Sequence, residues 1–404
     1  MTTITNSPET LRAAMVDNVK AAGHATSPAV EQAMRSVPRH AFVPEASVED
    51  AYADIAVITK SASDGSALSC ASVPTIVGMM LDQLQVQPGN RILEIGAGTG
   101  YNAALLARLT GPGGSVTTVD IDPEVTAGAR RALGATGNER VEVITRDGSL
   151  GAQENAPYDR IIFTVGAWDL TPAFWEQLAP GGRLVVPLRW RGQTRSVAFV
   201  REGDALVSDS MELCGFVPML GQEGERSATI DRGDLVTLYW DVDQAIDTEK
   251  LQDVLDQPKQ TSWSGVTVGP YDSFDGIWLR MSATASGTCR IAAGKAAVES
   301  ELCTPAIAVR SPALADHDSL AYLATRRVGD SVHELGAIGH GTYGLNLAAQ
   351  LSDQIAGWNE NRDALPALRA YRTDVPNAAL TFEPNVDLGQ IIEKTESRLM
   401  INLT

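Results

Sequence analysis

A glycine-rich segment placed directly after a short apolar run constrains the fold of this chain more than any other feature. Residues 93–100 have the sequence LEIGAGTG; the apolar run Arg91–Ile95 leads into them, and residues 102–109 follow with apolar side chains at helical spacing. A strand, a glycine loop and a helix in this order form the nucleotide-binding unit of doubly wound α/β folds. Glycines suit such a loop because its backbone turns sharply and approaches a ligand closely. A tight turn without a ligand is the alternative interpretation.

Strand and helix patterns continue to alternate after this loop. We predict a helix at 123–133 and strands at 115–121, 141–145, 160–164, 183–188, 196–201 and 205–211. Strands separated by helical patterns indicate βαβ units and a parallel sheet, whereas the last two strands look antiparallel. Before the loop, the sequence predicts helices over 9–36, interrupted near Gly23, and over 74–86, with an extended segment at 37–44 between them. We therefore expect a Rossmann-like doubly wound α/β domain.

The length of the chain and a change in its pattern predict a second domain. At 404 residues the chain exceeds what a single hydrophobic core usually fills. The alternation weakens after about residue 225, where we predict strands at 235–242 and 276–281 and a helix at 344–357. The boundary is placed in 221–225, which gives a domain at 1–224 and an additional α+β domain at 225–404.

The glycine loop and two later carboxylates indicate the kind of ligand. The loop has GxGxG spacing with Tyr101 where a dinucleotide fingerprint has its third glycine, and Glu94 can serve a cationic ligand. Both features favour S-adenosylmethionine over a nicotinamide cofactor. Asp120, about 20 residues after the loop, is predicted to accept hydrogen bonds from the ribose hydroxyls, and Asp147 from the adenine amino group. The predicted cofactor residues are Glu94, Gly96, Ala97, Gly98, Thr99, Gly100, Asn102, Asp120, Ile121, Asp147 and Gly148.

Two further features of this region have open interpretations. Asp122 precedes a proline at the start of a predicted helix, so it is more plausibly the N-cap of that helix than a ligand contact. Asp147 and Gly148 form an Asp-Gly pair, which also suits an ordinary turn without function. If the pair does serve the cofactor, Gly148 leaves room for the adenine ring.

Charge and composition exclude several classes of partner. The net charge is −18, from 50 acidic and 32 basic side chains, which opposes binding to nucleic acid or to anionic lipid. The sequence has no apolar stretch long enough to cross a membrane and no signal peptide, so we expect a cytoplasmic protein. The four cysteines have no CxxC pair and the five histidines no helical metal spacing, so we expect no metal site.

Several linked motifs closely resemble those of protein-L-isoaspartate O-methyltransferases. The resemblance covers about residues 9–220, slightly more than half the chain. It implies the class I methyltransferase fold, S-adenosylmethionine as cofactor and methyl transfer to an aspartyl-type carboxylate of a peptide or protein. The motifs are VPRHAFVP (37–44), AYAD (51–54), LEIGAGTGYNAALLA (93–107), VDIDPE (119–124), RDG (146–148), APYDRIIFT (156–164) and LAPGGRLVVP (178–187).

The resemblance also implies a catalytic residue. An S-x-P segment before the glycine loop supplies a hydroxyl at the reacting carboxylate in that family, and Ser72-Val73-Pro74 matches it. Ser72 is therefore the predicted catalytic residue, and Ser69, Cys70, Val73 and Pro74 are predicted substrate contacts. A serine before a proline can also simply cap the following helix.

The chain departs from the repair enzymes in two places. The segment before S-x-P is SDGSALSCAS (63–72), and the chain continues well past residue 220. The tail motifs WSGV (263–266), FDGIWL (274–279) and GHGTYG (339–344) look like those of longer homologues that tailor ribosomally made peptides such as lanthipeptides and graspetides. That similarity implies methylation of an aspartate in a macrocyclised peptide, with closure to aspartimide or isoaspartate. His340 is then a predicted substrate contact.

Two alternatives to this function stay open, and a third is disfavoured. One is general isoaspartyl repair with an added domain, and another is a non-catalytic peptide-binding scaffold. For the tail itself, substrate recognition is favoured over a role in dimerisation or stability. A nicotinamide oxidoreductase is disfavoured because the third glycine of its fingerprint is absent at Tyr101.

Overall fold

The computed structural model of the chain describes residues 7–380 and 389–403. Contacts divide these residues into two units. The first runs to Leu188 and continues over Thr194–Gly221, and the second comprises Arg189–Gln193 and the described residues from Gln222 onwards. In the described ranges, no helix is long and apolar enough to cross a membrane.

The first unit opens with helices and a hairpin that precede its main sheet. Proline stands in the first turn of three of these helices, where its missing N–H costs nothing. These helices confirm the predictions over 9–36 and 74–86. The elements are α1 (Pro8–Ala21), α2 (Pro28–Ser36), α3 (Val48–Tyr52), β1 (Val57–Ser61), β2 (Ala67–Ala71) and α4 (Pro74–Leu84).

The prediction of an extended segment at 37–44 was wrong. Its centre, Arg39–Phe42, forms a single turn of 3-10 helix. The prolines at its two ends restrict only themselves and the residues before them, so the intervening residues were free to close a turn. Phe42 is thereby buried, with its ring 5.7 Å from that of Tyr101.

The main sheet of the first unit alternates with helices as predicted. Within the described residues its strands lie in the order β9-β8-β7-β6-β3-β4-β5, and pairing is parallel from β7 through β5 and antiparallel between β8 and β9. The elements are β3 (Arg91–Ile95), α5 (Tyr101–Thr110), β4 (Ser115–Asp120), α6 (Pro123–Ala135), β5 (Glu142–Thr145), β6 (Tyr158–Phe163), α7 (Pro172–Gln177), β7 (Leu178–Trp190), β8 (Gln193–Glu202) and β9 (Ala205–Leu213).

The central strand β3 positions the site. Ile92, Leu93 and Ile95 are buried, as expected for a strand covered on both faces, and Leu93 pairs with Thr117 on β4 and Ile161 on β6. Because β3, β4, β5 and β6 are parallel, their carboxyl ends share one edge of the sheet. Ligands of doubly wound folds bind outside that edge, where the strand order reverses on either side of β3.

The second unit is built around an antiparallel sheet. Within the described residues its strands lie in the order β10-β11-β13-β14-β15-β16-β12, and β17, β19 and β18 pair antiparallel in that order. The elements are β10 (Glu225–Thr229), β11 (Val236–Asp241), α8 (Thr248–Leu251), β12 (Gln260–Val268), α9 (Gly276–Thr284), β13 (Thr288–Ala293), α10 (Lys295–Glu299), β14 (Ser311–Asp316), β15 (Ser319–Gly329), β16 (Val332–His340), α11 (Gly344–Glu360), β17 (Ala367–Arg372), β18 (Gln390–Glu393) and β19 (Ser397–Asn402).

Both faces of this sheet are covered, which gives the unit two cores. Along β15, Tyr322 and Ala324 belong to one apolar cluster, whereas Ala321 and Leu323 belong to the other. The second cluster contains the buried face of α11, which confirms the helix predicted at 344–357. The strand predicted at 276–281 was wrong, since α9 occupies these residues and buries Ile277 and Met281 one helical turn apart. A short apolar run does not distinguish strand from helix.

The tail motifs of the sequence serve the packing of this unit. A side chain at Gly276 would meet Trp358 at 2.7 Å, and one at Gly339 would meet the carbonyl oxygen of Gly344. The Ser264 hydroxyl donates to the carbonyl of Leu335, which ties β12 to β16. Close approach between α9, α11, β12 and β16 therefore accounts for Gly276, Gly339 and Ser264 in these motifs.

Candidate active site

Two adjoining clefts lie at the carboxyl edge of the first unit's sheet. The inner cleft is lined by the hairpin end Ser69–Val73, the glycine loop Gly96–Thr99 and Tyr101, among others. The outer cleft is lined by Asp120, Asp147 and the segment Val217–Leu220. The two share Leu68, Gly96, Asp120, Val165 and Val217 as lining residues. One elongated ligand can therefore occupy both.

The glycine loop has the geometry that only glycine tolerates well. Gly96, Gly98 and Gly100 have φ values of +100°, +49° and +86°. A side chain at Gly96 would lie 2.5 Å from the Thr164 hydroxyl, and one at Gly100 would crowd Ala129 and Leu133. Ala97, which is buried, and Thr99 line the inner cleft beside these glycines. At the three glycine positions the loop presents backbone rather than a side chain to a ligand.

Asp120 ends β4 with both carboxylate oxygens already oriented. Its Oδ2 accepts from the Gly98 amide at 3.2 Å and its Oδ1 from the Asp122 amide at 3.1 Å. Burial raises the pKa of Asp120, and these backbone donors oppose that effect. Each oxygen can accept further hydrogen bonds, which suits a pair of ribose hydroxyls.

Asp122 caps α6, in agreement with the favoured interpretation of the sequence. Its Oδ1 accepts from the amides of Glu124 and Val125. Its Oδ2 lies 2.6 Å from Lys60 Nζ on β1, and Lys60 also pairs with Glu124. The β1–β2 hairpin is therefore fastened to the start of α6.

Asp147 and Gly148 lie together in the outer cleft. Asp147 is exposed and its side chain accepts from the Ser149 amide, so the pair does form the turn that the sequence also allowed. A side chain at Gly148 would meet Ile95 at 2.6 Å. Ile121 is half exposed and lines the same cleft. This surface suits a flat ring edge-on to a carboxylate.

Glu94 occupies a different position from the other predicted cofactor residues. It is fully buried beneath the loop and does not line either cleft. Its oxygens accept from Asn102 Nδ2 at 2.8 Å and from the Thr118 hydroxyl at 2.5 Å. Asn102 itself lines the inner cleft. Glu94 can therefore reach a ligand in the inner cleft only through Asn102.

The charge on Glu94 predicts how stability depends on pH. Burial raises the pKa of Glu94 from its ordinary 4.5 to about 7, against the two hydrogen bonds that favour its ionised form. Because the folded pKa is the higher one, ionisation penalises the folded state, so stability falls as pH rises from the ordinary pKa of 4.5 to about 7 and levels off above it. Between pH 6 and 8 we expect a loss of about 1 kcal/mol that Glu94→Gln abolishes. Calorimetry of both proteins at the two pH values tests this, and equal slopes would contradict it.

The β1–β2 hairpin forms the wall of the inner cleft opposite the loop. Ser69 is buried, and its hydroxyl accepts from Thr59; Cys70 and Ser72 line the cleft. Burial raises the pKa of Cys70, and a hydrogen bond with Ser72 opposes the rise. The thiol is therefore neutral at physiological pH and does not compete with a carboxylate for a methyl group.

The Ser72 side chain is not the cap of α4, so that alternative was wrong. The N-cap is Val73, without a side-chain cap bond. Asp54, the last residue of AYAD, instead accepts from the Thr75 amide at 2.9 Å and the Thr75 hydroxyl at 2.7 Å. Val73 lines the cleft, whereas Pro74 is buried at the first turn of the helix. The Ser72 hydroxyl therefore does not cap α4.

His340 does not belong to the site, and its prediction as a substrate contact was wrong. It ends β16 in the second unit and is 0% exposed. Its Nδ1 contacts the carbonyl oxygen of Gln257 at 3.1 Å, and its ring stacks on Tyr322. Of its two flanking glycines, Gly339 lets the start of α11 approach the strand, and Gly341 lies against Asp318 and Ser319.

Sequence reasoning missed two segments that line the clefts. One is Thr164-Val165 after β6, where Thr164 donates to the Gly96 carbonyl; the other is 215–220, which carries Met219 against Gly148. The first could have been found, because residues after a parallel strand beside β3 must reach the same edge. The second has no local signal.

The residues present fit S-adenosylmethionine. The glycine cradle, the Asp120 carboxylate with free acceptor capacity and the exposed Asp147 offer the partners that a nucleoside needs. The inner cleft continues from the loop to Ser72, so an attached amino acid chain would extend toward the hairpin wall. Among the described residues, no group of three or more His, Cys, Asp or Glu side chains is placed to hold a metal.

The comparisons with known proteins agree with this geometry. The sequence model of the protein-L-isoaspartate(D-aspartate) O-methyltransferase family matches residues 10–224. The protein-L-isoaspartate O-methyltransferase of Methanopyrus kandleri is 39% identical over 215 residues, which are 53% of this chain and 92% of that protein. The one from Methanoregula boonei is 40% identical over 213 residues, 53% of this chain and 94% of that protein.

Solved structures are also similar to this chain. One of them is a beta-aspartate methyltransferase from Plasmodium falciparum in complex with S-adenosyl-L-homocysteine, 17% identical, with a TM-score of 0.47 over 52% of this chain and 99% of that chain. The doubly wound sheet of the first unit is the class I methyltransferase fold. The chain thus belongs to the protein-L-isoaspartate(D-aspartate) O-methyltransferase family and is an S-adenosylmethionine-dependent protein carboxyl O-methyltransferase.

Proposed function

We propose that this enzyme methylates an aspartate side chain in a macrocyclised ribosomal peptide and that the ester then closes to aspartimide or isoaspartate. The observation that carries the proposal is the second unit. The family match ends at residue 224, and the relatives from Methanopyrus and Methanoregula are covered almost entirely by the first half of this chain. From Gln222 onwards the chain builds its own sheet and cores. In this proposal the second unit recognises the peptide.

The inner cleft suits an ionised carboxylate as the methyl acceptor. Such a group is already deprotonated at neutral pH, so the site needs no strong general base. S-adenosylmethionine, when bound, supplies the methyl group, and the electron pair of the broken S–C bond stays on the sulfur. The chain must then hold the attacking oxygen in line with the methyl carbon. The Ser72 hydroxyl, in the cleft wall, holds the other oxygen.

The ester is the reactive product that makes backbone modification possible. Methoxide leaves the carbonyl carbon far more readily than an oxygen of an ionised carboxylate does. The backbone nitrogen of the following residue attacks the ester carbonyl, the C–OCH₃ bond breaks, and methanol leaves with the amide proton. Water can later open the five-membered ring to aspartate or isoaspartate. Which peptide occupies the cleft therefore decides between repair and deliberate modification.

Ser72→Ala tests the residue assigned to the carboxylate. We expect kcat/KM to fall about 10- to 100-fold, because one positioned hydroxyl donor is lost where charge changes during transfer. Affinity for S-adenosylhomocysteine should stay unchanged. Ser196→Ala is the matched control, since its hydroxyl donates to Gln83 Oε1 at 2.6 Å in the interior. A Ser72 variant as active as wild type would contradict the assignment.

Mass spectrometry of two peptides tests the proposed substrate. One is a linear isoaspartyl peptide and the other a macrocyclised aspartyl peptide, each incubated with the enzyme and S-adenosylmethionine. A gain of one methylene and then a net loss of water, on the cyclised peptide only, supports the proposal. Methylation of the linear isoaspartyl peptide alone overturns it and makes the chain a repair enzyme. A cyclised peptide with asparagine in place of aspartate is the control and should stay unmodified.

A further inference from the structure

Arg39 is a buried cation without a carboxylate partner within residues 7–380 and 389–403. Its side chain is 0% exposed. Its Nε donates to the Ala51 carbonyl at 2.8 Å, and its Nη2 donates to the carbonyls of Ala71 at 3.2 Å and Ser72 at 2.8 Å. Its Nη1 has no hydrogen-bond partner. Burying a charge is costly unless the charge is paired, so this guanidinium lacks an anion.

The carboxylate whose charge acts on Arg39 is engaged elsewhere. The negative charge of Asp54 favours the protonated form of Arg39, but both oxygens of Asp54 accept hydrogen bonds from Thr75. Burial lowers the pKa of Arg39, although an arginine stays protonated in proteins. The Tyr101 ring, with its centroid 5.1 Å from the guanidinium carbon, offers a cation–π contact. These neighbours only partly offset the buried charge.

Other buried arginines of this chain do have carboxylate partners. Arg191 pairs with Asp241 and Asp243, and Arg183 forms a bidentate pair with Asp209. Arg39 differs from both, and it is also the one that lies behind the wall of the inner cleft. Ala71 and Ser72, whose carbonyls it binds, line that cleft.

A second unsatisfied group lies at the same place. The Tyr101 hydroxyl is buried and has no hydrogen-bond partner in the described chain. Burial raises the pKa of Tyr101 to about 12, so the group is a neutral donor. Tyr101 lines the inner cleft as well. A buried cation whose Nη1 lacks an acceptor and a buried hydroxyl without one therefore lie next to each other, beside the part of the cleft that carries Ser72.

We propose that Arg39 is a positioning residue for the methyl-accepting carboxylate. Its charge attracts the ionised substrate into the inner cleft, and its hydrogen bonds fix the chain segment that presents Ser72. The inference rests on methylation of a carboxylate, and it holds whichever peptide carries that group. Arg39 acts through the wall and does not touch the substrate.

The chemistry predicts how the loss of Arg39 divides between binding and turnover. Methyl transfer converts a carboxylate and a sulfonium into a neutral ester and a neutral thioether. The negative charge on the carboxylate therefore decreases as the transition state forms. A fixed cation therefore stabilises the bound carboxylate at least as much as the transition state. Its removal raises KM and leaves kcat unchanged or higher. A purely structural role would instead lower kcat and weaken cofactor binding.

Arg39→Gln and Arg39→Lys separate charge from hydrogen bonding. Glutamine keeps a donor without the charge, and we expect KM for the methylated peptide to rise about tenfold, with kcat within twofold of wild type. Lysine keeps the charge, and KM should stay within about threefold. Affinity for S-adenosylhomocysteine should not change in either variant. Each assay uses the peptide that wild-type enzyme methylates, so a wrong substrate proposal is recognised before the variants are compared.

A neutral competitor gives the sharper readout. The competitor is a peptide identical to the substrate except for an amide in place of the carboxylate. For wild-type enzyme, the ratio of its inhibition constant to the dissociation constant of the carboxylate peptide should be at least ten. In Arg39→Gln that ratio should fall toward one, and in Arg39→Lys it should be retained. If the glutamine variant does not fold, the lysine variant still decides, since loss of the ratio in a folded lysine variant overturns the proposal.

Arg160→Gln is the matched control. Arg160 is half-buried rather than fully buried, but like Arg39 it donates to carbonyls, those of Gln85 and Asp159, and has no carboxylate partner in the described chain. It lies on β6 before the buried half of that strand, away from its carboxyl end. Its loss should leave KM and the inhibition ratio unchanged. If Arg160→Gln changes the ratio as Arg39→Gln does, or if Arg39→Gln lowers kcat with KM unchanged, the proposal is wrong.

Discussion

Replacing Asp120 by alanine is expected to weaken the binding of S-adenosylhomocysteine about 100-fold. The ribose hydroxyls would lose two charge-assisted hydrogen bonds, each worth about 1.5–3 kcal/mol, and part of that loss is recovered by water. The variant also removes the acceptor of the Gly98 amide, so the glycine loop loses a tether at the same time. Isothermal titration calorimetry with the purified full chain measures the affinity directly.

Asp122→Asn is the control for this experiment. Asp122 lies two residues further along, caps α6 and pairs with Lys60. The asparagine oxygen can still cap α6, so the variant removes only the charge and its ion pair with Lys60, which has a small effect on stability and removes no ribose contact. We expect its effect on affinity to stay below about threefold. If both variants weaken binding equally, the carboxylate at position 120 is not the ribose acceptor and the assignment fails.

The sheet of the first unit was predictable from the sequence because its signals are local. Each parallel strand is a short apolar run bounded by turn residues. Two strands of the sheet, the parallel β3 and the antiparallel β9, begin at the residues predicted. The loop and the carboxylate after β4 follow from the same βαβ pattern. Their shared edge is a topological consequence of parallel pairing, so one motif located most of the cofactor site.

The wall of the inner cleft was not predictable in the same way. Arg39 reaches residues more than 30 positions later in the chain, and Asp54 rather than Ser72 caps α4. Such contacts depend on how the 3-10 turn and the hairpin pack, and no periodicity encodes them. The family motifs marked these residues as important, but only the structure assigns them physical roles.

The second unit shows the limit of short-range reasoning most clearly. Gly276 was predicted to start a strand and His340 to contact the substrate, yet one begins a helix and the other is buried against Tyr322. In both cases the deciding interaction is tertiary: Trp358 packs directly on Gly276, and the Gln257 carbonyl lies beside His340. Local sequence cannot weigh such contacts against propensity.

Replacing Gly96 by alanine should destabilise the first unit by about 3 kcal/mol. The new methyl group would lie 2.5 Å from the Thr164 hydroxyl and 3.0 Å from Val165, so overpacking adds to the strain of a φ near +100°. For a unit of this size the melting temperature should fall by roughly 6–12 °C. Calorimetry detects this in the transition that S-adenosylhomocysteine shifts upward, since a ligand stabilises the unit that binds it. Cofactor affinity should fall as well, because the same loop forms the cradle.

Gly89→Ala separates backbone strain from steric contact. Gly89 precedes β3 as Gly96 follows it, has a φ of +87°, and has open space where a side chain would lie. Its substitution should cost about 1 kcal/mol through the backbone alone and leave cofactor affinity unchanged. The difference between the two variants therefore measures the contact with Thr164 and Val165. If both lower the melting temperature equally, the loop tolerates a side chain, and the close approach of β6 to the glycine loop is not what restricts position 96.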